Sequence, residues 1–186
     1  MGADSGRELT TLEYVVLGLI GTEPQSGYSI ISSFEDDVYR RWSASPGSIY
    51  PMLKRLEKRG IIAGELEVIH ETRPRKMYSL TPQGEDLLGE WLRKSPNKFA
   101  VTEERDITLL RFLFAEKRMS REEVLCWLDD YDEAIQAYEI MFRTQRDPDA
   151  EDWSPHQRLV VQAMIMDLDM QRAWIYTARE RLLAVR

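Results

Sequence analysis

Between Ser45 and Leu80 the chain reads SPGSIYPMLKRLEKRG followed at once by IIAGELEVIHETRPRKMYSL. Few folds accommodate that order. Ile49, Met52, Leu53 and Leu56 recur at helical spacing, and Gly60 supplies the stop. Two short strands are expected next, Ile61–Ile69 and Lys76–Leu80, with HETRPR as the tip between them. A one-sided helix running straight into a two-stranded hairpin must lay its apolar face on other elements of a small domain. With Ser48 as N-cap, Pro51 becomes the third helical residue and costs no hydrogen bond, so the start falls near residues 46–48.

The flanks supply those other elements. TTLEYVVLGLI predicts a helix from Thr10 to Ile20, capped by Thr10 or Thr11 with Glu13 in a capping box and stopped by Gly21. Its apolar residues cover nearly every side, the mark of a central buried helix. Pro24, Ser26 and Gly27 form a turn, and a second helix is expected over Tyr28–Val38. Beyond the hairpin, Thr81 caps a helix that opens on Pro82 and runs to about Lys94. Helix, helix, helix, strand, strand, helix is the order of a winged helix-turn-helix, whose third helix enters the DNA major groove.

Charge first argues against that assignment, since the 186 residues carry a net −7 and duplex phosphates repel an acidic protein. The average misleads. Residues 38–76 hold nine cations against four acids, a surplus of five, which leaves twelve excess negative charges elsewhere. A partner feels the local field, because charges beyond about 10 Å are screened at ordinary ionic strength. Opposite the apolar face of the third helix stand Ser48, Tyr50, Lys54, Arg55 and Lys58, and Arg73, Arg75 and Lys76 surround the tip Pro74. Hydroxyls and ammonium groups bond phosphates and base edges, and clustered wing cations suit phosphate or minor-groove contact. Ser48, Tyr50, Lys54, Arg55, Arg73, Arg75 and Lys76 are therefore the candidate DNA-binding residues, with Arg40 and Arg41 weaker ones.

After Ser95-Pro96-Asn97, the best linker in the chain, helices are expected at about 103–118, 120–145 and 155–185. Val124, Leu128, Tyr131, Ile135, Tyr138 and Phe142 follow an unbroken 4,3 spacing. So do Val161, Met164, Leu168, Ile175, Ala178, Leu182 and Val185, with Gln171 the one polar residue on that seam. Sustained 4,3 spacing presents a narrow apolar edge to a partner helix. The last helix carries a second apolar stripe as well (Leu159, Ala163, Met166, Met170, Ala173), which calls for a second copy of the chain. The predicted division is 1–94 for the winged domain, 95–97 for the linker and 98–186 for a helical dimerisation domain. The fold class is mainly α with a small two-stranded β wing.

LEYVVLGLIG…SGYSI, SPGSIYPMLKRLEKRGII and PRKMYSLTPQGEDLL resemble the N-terminal domain of PadR-like transcriptional regulators over roughly residues 9–94. The helical half is similar to that family's dimerisation region in length and pattern. The glycine-tyrosine pair is present as Gly27-Tyr28, while Ser29 stands where an acidic residue is common. The resemblance implies a homodimeric DNA-binding regulator, often a repressor released by a small molecule or stress signal. Its partners would be double-stranded DNA, a second copy and a small planar aromatic effector. Trp127, Tyr131 and Trp174 on the long helices are the candidate effector-binding residues, with a packed helical core as their bland alternative.

Other classes find little support. His70, His156 and Cys126 show no zinc-ligand spacing, and Asp147–Asp152 lacks the glycine and glutamate of a calcium loop, so no metal or cofactor is expected. There is no G-x-S-x-G and no phosphate-cradling glycine loop, which disfavours an enzyme. No apolar run nears the roughly 18 residues that span a bilayer. The N-terminus lacks a signal pattern and Cys126 is the lone cysteine, so a cytoplasmic protein is expected. The surviving rival is a helical interaction module whose winged domain binds a protein partner.

Overall fold

A computed structural model describes residues 7–35, 39, 45–67, 74–146 and 153–184 and divides the chain into two compact units, Met1–Leu92 and Arg93–Arg186. The first begins with helix α1 (Thr11–Thr22), whose N-cap Thr10 exchanges bonds with Glu13. The Glu13 amide donates to Thr10 Oγ1 at 3.3 Å and Thr10 N–H donates to Glu13 Oε2 at 2.7 Å. Val15, Val16 and Leu17 are wholly buried, as all-round hydrophobicity predicts. Gly21 does not stop this helix. It continues to Thr22, where the Thr22 hydroxyl donates to the Leu19 carbonyl at 2.6 Å.

Two residues then form strand β1 (Gln25–Ser26), and Ser26 caps the short helix α2 (Gly27–Ser33). Helix α3 (Pro46–Lys58) leads into β2 (Ile62–Glu67) and β3 (Arg75–Leu80). The expected two-stranded wing is thus a three-stranded antiparallel sheet in the order β1-β3-β2, with Gln25 opposite Tyr78 and Gly64 also opposite Tyr78 from the other side. Gly60 closes α3 at φ 72°, a conformation that favours glycine. Its N–H donates to Glu57 O and that of Ile61 to Leu56 O, the paired bonds of a Schellman stop.

Thr81 joins this stop to helix α4 (Pro82–Arg93). Its hydroxyl donates to Gly60 O at 2.6 Å and accepts from Gly84 N–H at 3.2 Å. A Cβ at position 84 would lie 2.1 Å from the Ile61 carbonyl oxygen, so only glycine lets α4 seat against the start of β2. Tyr14 of α1 and Trp91 of α4 stack with centroids 5.0 Å apart. Ile49, Leu53 and Leu56 of α3 complete the core with Ile61, Ile62 and Leu88.

The second unit contains α5 (Lys98–Thr102), α6 (Arg105–Ala115), α7 (Arg121–Gln145) and α8 (Pro155–Ala184). The helix expected at about 103–118 is α6, and the short α5 that precedes it, separated by Glu103-Glu104, was not foreseen. Much of each long seam is buried: Val124, Leu128, Tyr131, Ile135 and Phe142 on α7, and Val161, Leu168, Gln171 and Ile175 on α8, while Tyr138 is half-buried and Met164 exposed. The two helices pack on each other, so much of each 4,3 edge is covered inside one chain. What α8 leaves exposed is its second stripe, including Leu159, Met166 and Met170. The acidic run 147–152 lies outside the described residues, and no described helix is long and apolar enough to cross a membrane.

Candidate nucleic-acid interface

Helix α3 begins three residues earlier than a Ser48 cap would place it. Ser45 is the N-cap, and Ser48 is the third helical residue. Its hydroxyl accepts from Ser45 N–H at 3.1 Å and donates to Ser45 O at 2.9 Å, so Ser48 locks the helix start. Pro51 is consequently the sixth helical residue. It lies beyond the first turn, and the Gly47 carbonyl loses its i+4 amide donor there.

At 100° per residue, Tyr50, Lys54 and Lys58 fall on one exposed stripe of α3, with Ser48 and Arg55 on its flank. Tyr50 is 48% exposed and its ring lies against Gly27: a Cβ there would come within 2.5 Å of Tyr50 Cε1. The starts of α2 and α3 are brought together by that contact. The next residue, Tyr28, is 77% exposed, so a second tyrosine is presented to solvent at the start of α2. Sequence reasoning used Tyr28 only as half of a motif. Its signal was an aromatic at the first, otherwise polar turn of a short helix.

Arg55 is placed differently. Its Nη2 and Nε donate to Glu13 Oε1 at 2.6 and 3.2 Å, and Glu13 is 2% exposed. Burial alone would raise the Glu13 carboxyl. The Thr10 amide and the Arg55 guanidinium outweigh it, holding the group below the ordinary carboxylate range. Arg55 therefore ties α3 to α1.

The two described wing cations, Arg75 and Lys76, do not cluster. Successive strand residues face opposite sides of a sheet, so Arg75 and Lys76 diverge. Arg75 Nε donates to its cross-strand neighbour Glu67 at 2.9 Å, with the Arg75 side chain about half exposed. Lys76 Nζ reaches Glu57 of α3 at 2.6 and 2.7 Å, and its hydrogen bond with Glu57 raises the ammonium above the ordinary lysine value. Arg73, Arg40, Arg41 and His70 lie outside the described residues.

The candidate effector residues separate in the second unit. Trp127 and Tyr131 are core residues at 4% and 1% exposure, and Trp174 packs edge-on against Phe112 at 5.1 Å. Arg111 lies over the Trp127 ring at 5.4 Å and donates to the Lys94 carbonyl; burial lowers its guanidinium to about 10. Tyr131 donates to Gln171 Oε1 at 2.5 Å, and burial pushes its phenol up to about 12. None of the three lines the open groove of about 420 Å³ nearby, whose walls include Val101, Tyr138, Val160, Ala163, Met164 and Asp167. Tyr131 lies on the 4,3 seam and Trp127 packs against it one turn earlier, centroids 5.9 Å apart, so packing is the reading the geometry favours for both. Among the described residues no group of three His, Cys, Asp or Glu side chains is arranged to hold a metal ion.

Residues 16–90 match the model of the Transcriptional regulator PadR-like family. The negative transcriptional regulator PadR of Bacillus subtilis is 36% identical over 97 residues, covering 52% of this chain and 53% of that protein. The chain spans about half the length of the curated relatives it matches. Crystal structures of Bacillus subtilis PadR with operator DNA and with p-coumaric acid are each 27% identical. Each alignment covers 93% of this chain and 99% of that one, at TM-scores of 0.44 and 0.41. The family match falls on the unit that carries α1–α4 and the three-stranded sheet. Over residues 16–90 the chain is similar to the PadR-like family of transcriptional regulators.

Proposed function

We propose that this chain is a sequence-specific DNA-binding repressor that acts as a homodimer in the cytoplasm. The observation that carries the reading is the exposed Tyr50–Lys54–Lys58 stripe of α3, set beside Tyr28 in a PadR-like domain. An aromatic-and-cation stripe on the third helix of a winged fold matches major-groove docking, with hydroxyls for phosphates or base edges and ammonium groups for phosphates or guanine. Arg75, half exposed on the wing, adds backbone contact, and Ser48 and Arg55 support the helix from its flank. The name of the B. subtilis relative supports negative regulation. The second stripe of α8 supports pairing with another copy, because an exposed row of leucine and methionine is costly to leave in water.

Binding of the full chain to genomic fragments, its own upstream region included, tests the reading across a salt series. One fragment class should be bound selectively, with log K falling steeply against log salt. The same preparation should sediment as a dimer at micromolar concentration, its two α3 helices reading half-sites about 34 Å apart or a multiple of that. A chain that selects no fragment would favour the protein-interaction alternative, and monomer mass would end the dimer.

The groove on the second unit is the effector site in this proposal, in place of Trp127, Tyr131 and Trp174. Tyr138 gives it a stacking surface and Asp167 an acceptor for a ligand hydroxyl, among apolar walls. A panel of planar hydroxyaromatic compounds, beginning with p-coumaric acid, should include one that lowers DNA affinity at least tenfold. Ala163→Trp, which fills the groove, should abolish that response and keep DNA binding. A fully responsive Ala163→Trp, or a silent panel, would remove the effector from the proposal.

A further inference from the structure

Lys76 lies on β3 and Glu57 on α3, yet their charged ends meet at 2.6 Å. The route between them crosses β2 at Gly64. A Cβ at that position would sit 2.1 Å from Lys76 Cε, 3.1 Å from Lys76 Nζ and 2.8 Å from Glu57 Oε1. Any other residue type there would have to push the flexible ends of both partners off this path. The register shows why the lysine passes there. Gly64 faces Tyr78 and Leu66 faces Lys76, so all four residues occupy one side of the sheet. The lysine stem runs back along that side with its ammonium 5.5 Å from the centroid of the Tyr78 ring.

We propose that Lys76, threaded over Gly64 to Glu57, is a positioning residue that sets the wing against α3 and does not itself touch DNA. Both oxygens of Glu57 lie within bonding reach of the ammonium, at 2.6 and 2.7 Å, so the contact is directional and a phosphate would have to displace a carboxylate to claim it. Arg75, turned to the other side of the hairpin, gives Glu67 only its Nε–H and keeps further guanidinium donors for the wing's backbone contact. The strap ties the helix that reads DNA to the hairpin beside it, through a glycine whose role is space. Gly64 needs no unusual backbone here, because among the described glycines only Gly60 has a positive φ.

The inference rests on the DNA-binding reading for its consequence, and a measurement without DNA keeps the two apart. Hydrogen exchange of the full chain should show faster exchange over 62–67 and 75–80 in Glu57→Ala, Lys76→Met and Gly64→Ala, with α1 unchanged. Each variant should bind the selected fragment about fivefold more weakly, as loss of one partly exposed ion pair implies. The slope of log K against log salt should stay at the wild-type value. Exchanging the charges, Glu57→Lys with Lys76→Glu, should bring affinity back to within about twofold. Unchanged wing exchange would overturn the strap. So would a slope reduced by about one with no rescue on exchange, since that is how a lost phosphate contact behaves. A wild-type chain that selects no DNA would sink the DNA reading, while wing exchange alone would still decide the strap.

Discussion

Alanine at Ser48, Tyr50 and Lys54 together is expected to weaken selective DNA binding more than a hundredfold. Three losses combine. Removing a side chain that reads a base edge costs roughly 1–3 kcal/mol, and Tyr50 is the exposed aromatic at the head of the stripe. Lys54 contributes a phosphate or guanine contact, so the slope of log K against log salt should fall by about one. Ser48 acts through the helix start, and losing its bonds to Ser45 loosens the first turn that presents Tyr50. Binding isotherms at several salt concentrations separate these terms, and an unchanged far-UV spectrum would show the fold intact. Because Ser48, Tyr50 and Lys54 are all exposed, the core Ile49–Leu53–Leu56 is left whole. Affinity within about threefold of wild type would move the recognition surface off α3.

Glu13→Gln is expected to destabilise the first unit by about 2 kcal/mol. Breaking one side of a buried ion pair costs several kcal/mol, but Arg55 is a third exposed, and solvent screening reduces the figure. Exchange of the buried α1 amides of Val16 and Leu17 should accelerate about thirtyfold, at a factor of ten for each 1.4 kcal/mol. The effect has a pH signature. Glu13 titrates below its ordinary value near 4.5 in the folded chain, so the stability it adds is complete above that value and is lost as pH falls through the depressed one. The gap between variant and wild type should be widest at about pH 6 and close in acid. A gap that does not change with pH would mean the Glu13 charge contributes nothing.

Much of this arrangement was written locally. Thr10 with Glu13, Ile49 with Leu53 and Leu56, Gly60, and Thr81 with Pro82 each act over one helical turn, so the sequence shows them directly. β1 was missed because two residues cannot display an alternation; it is a strand only because β3 offers it an edge. α5 was missed because five residues after a proline-bearing turn carry no helical period, and the Asn97 cap was absorbed into the linker. The candidate site was half legible. Exposure of Tyr50 and Lys54 followed from the apolar face opposite. The use made of Arg55 did not, since its partner lies 42 positions away in α1. Nor did the split between Arg75 and Lys76, which depends on register and on an acid in another element.

Gln171 carries a consequence for how the second unit keeps its form. Its amide accepts from Tyr131 at 2.5 Å and donates to Val101 O at 3.2 Å and Asp167 Oδ2 at 2.8 Å, deep in a seam that leucine would fill as well. A purely apolar seam repeats itself every seven residues, so α8 slid by one heptad along α7 would find similar partners. The amide breaks that degeneracy, because a slid α8 would carry Asp167 along with Gln171 but leave the Val101 carbonyl of α5 behind. The hairpin thereby gives up some cohesion for an unambiguous address. Any movement of α8 against α7 must then be a jump between distinct states, with no continuous slide connecting them.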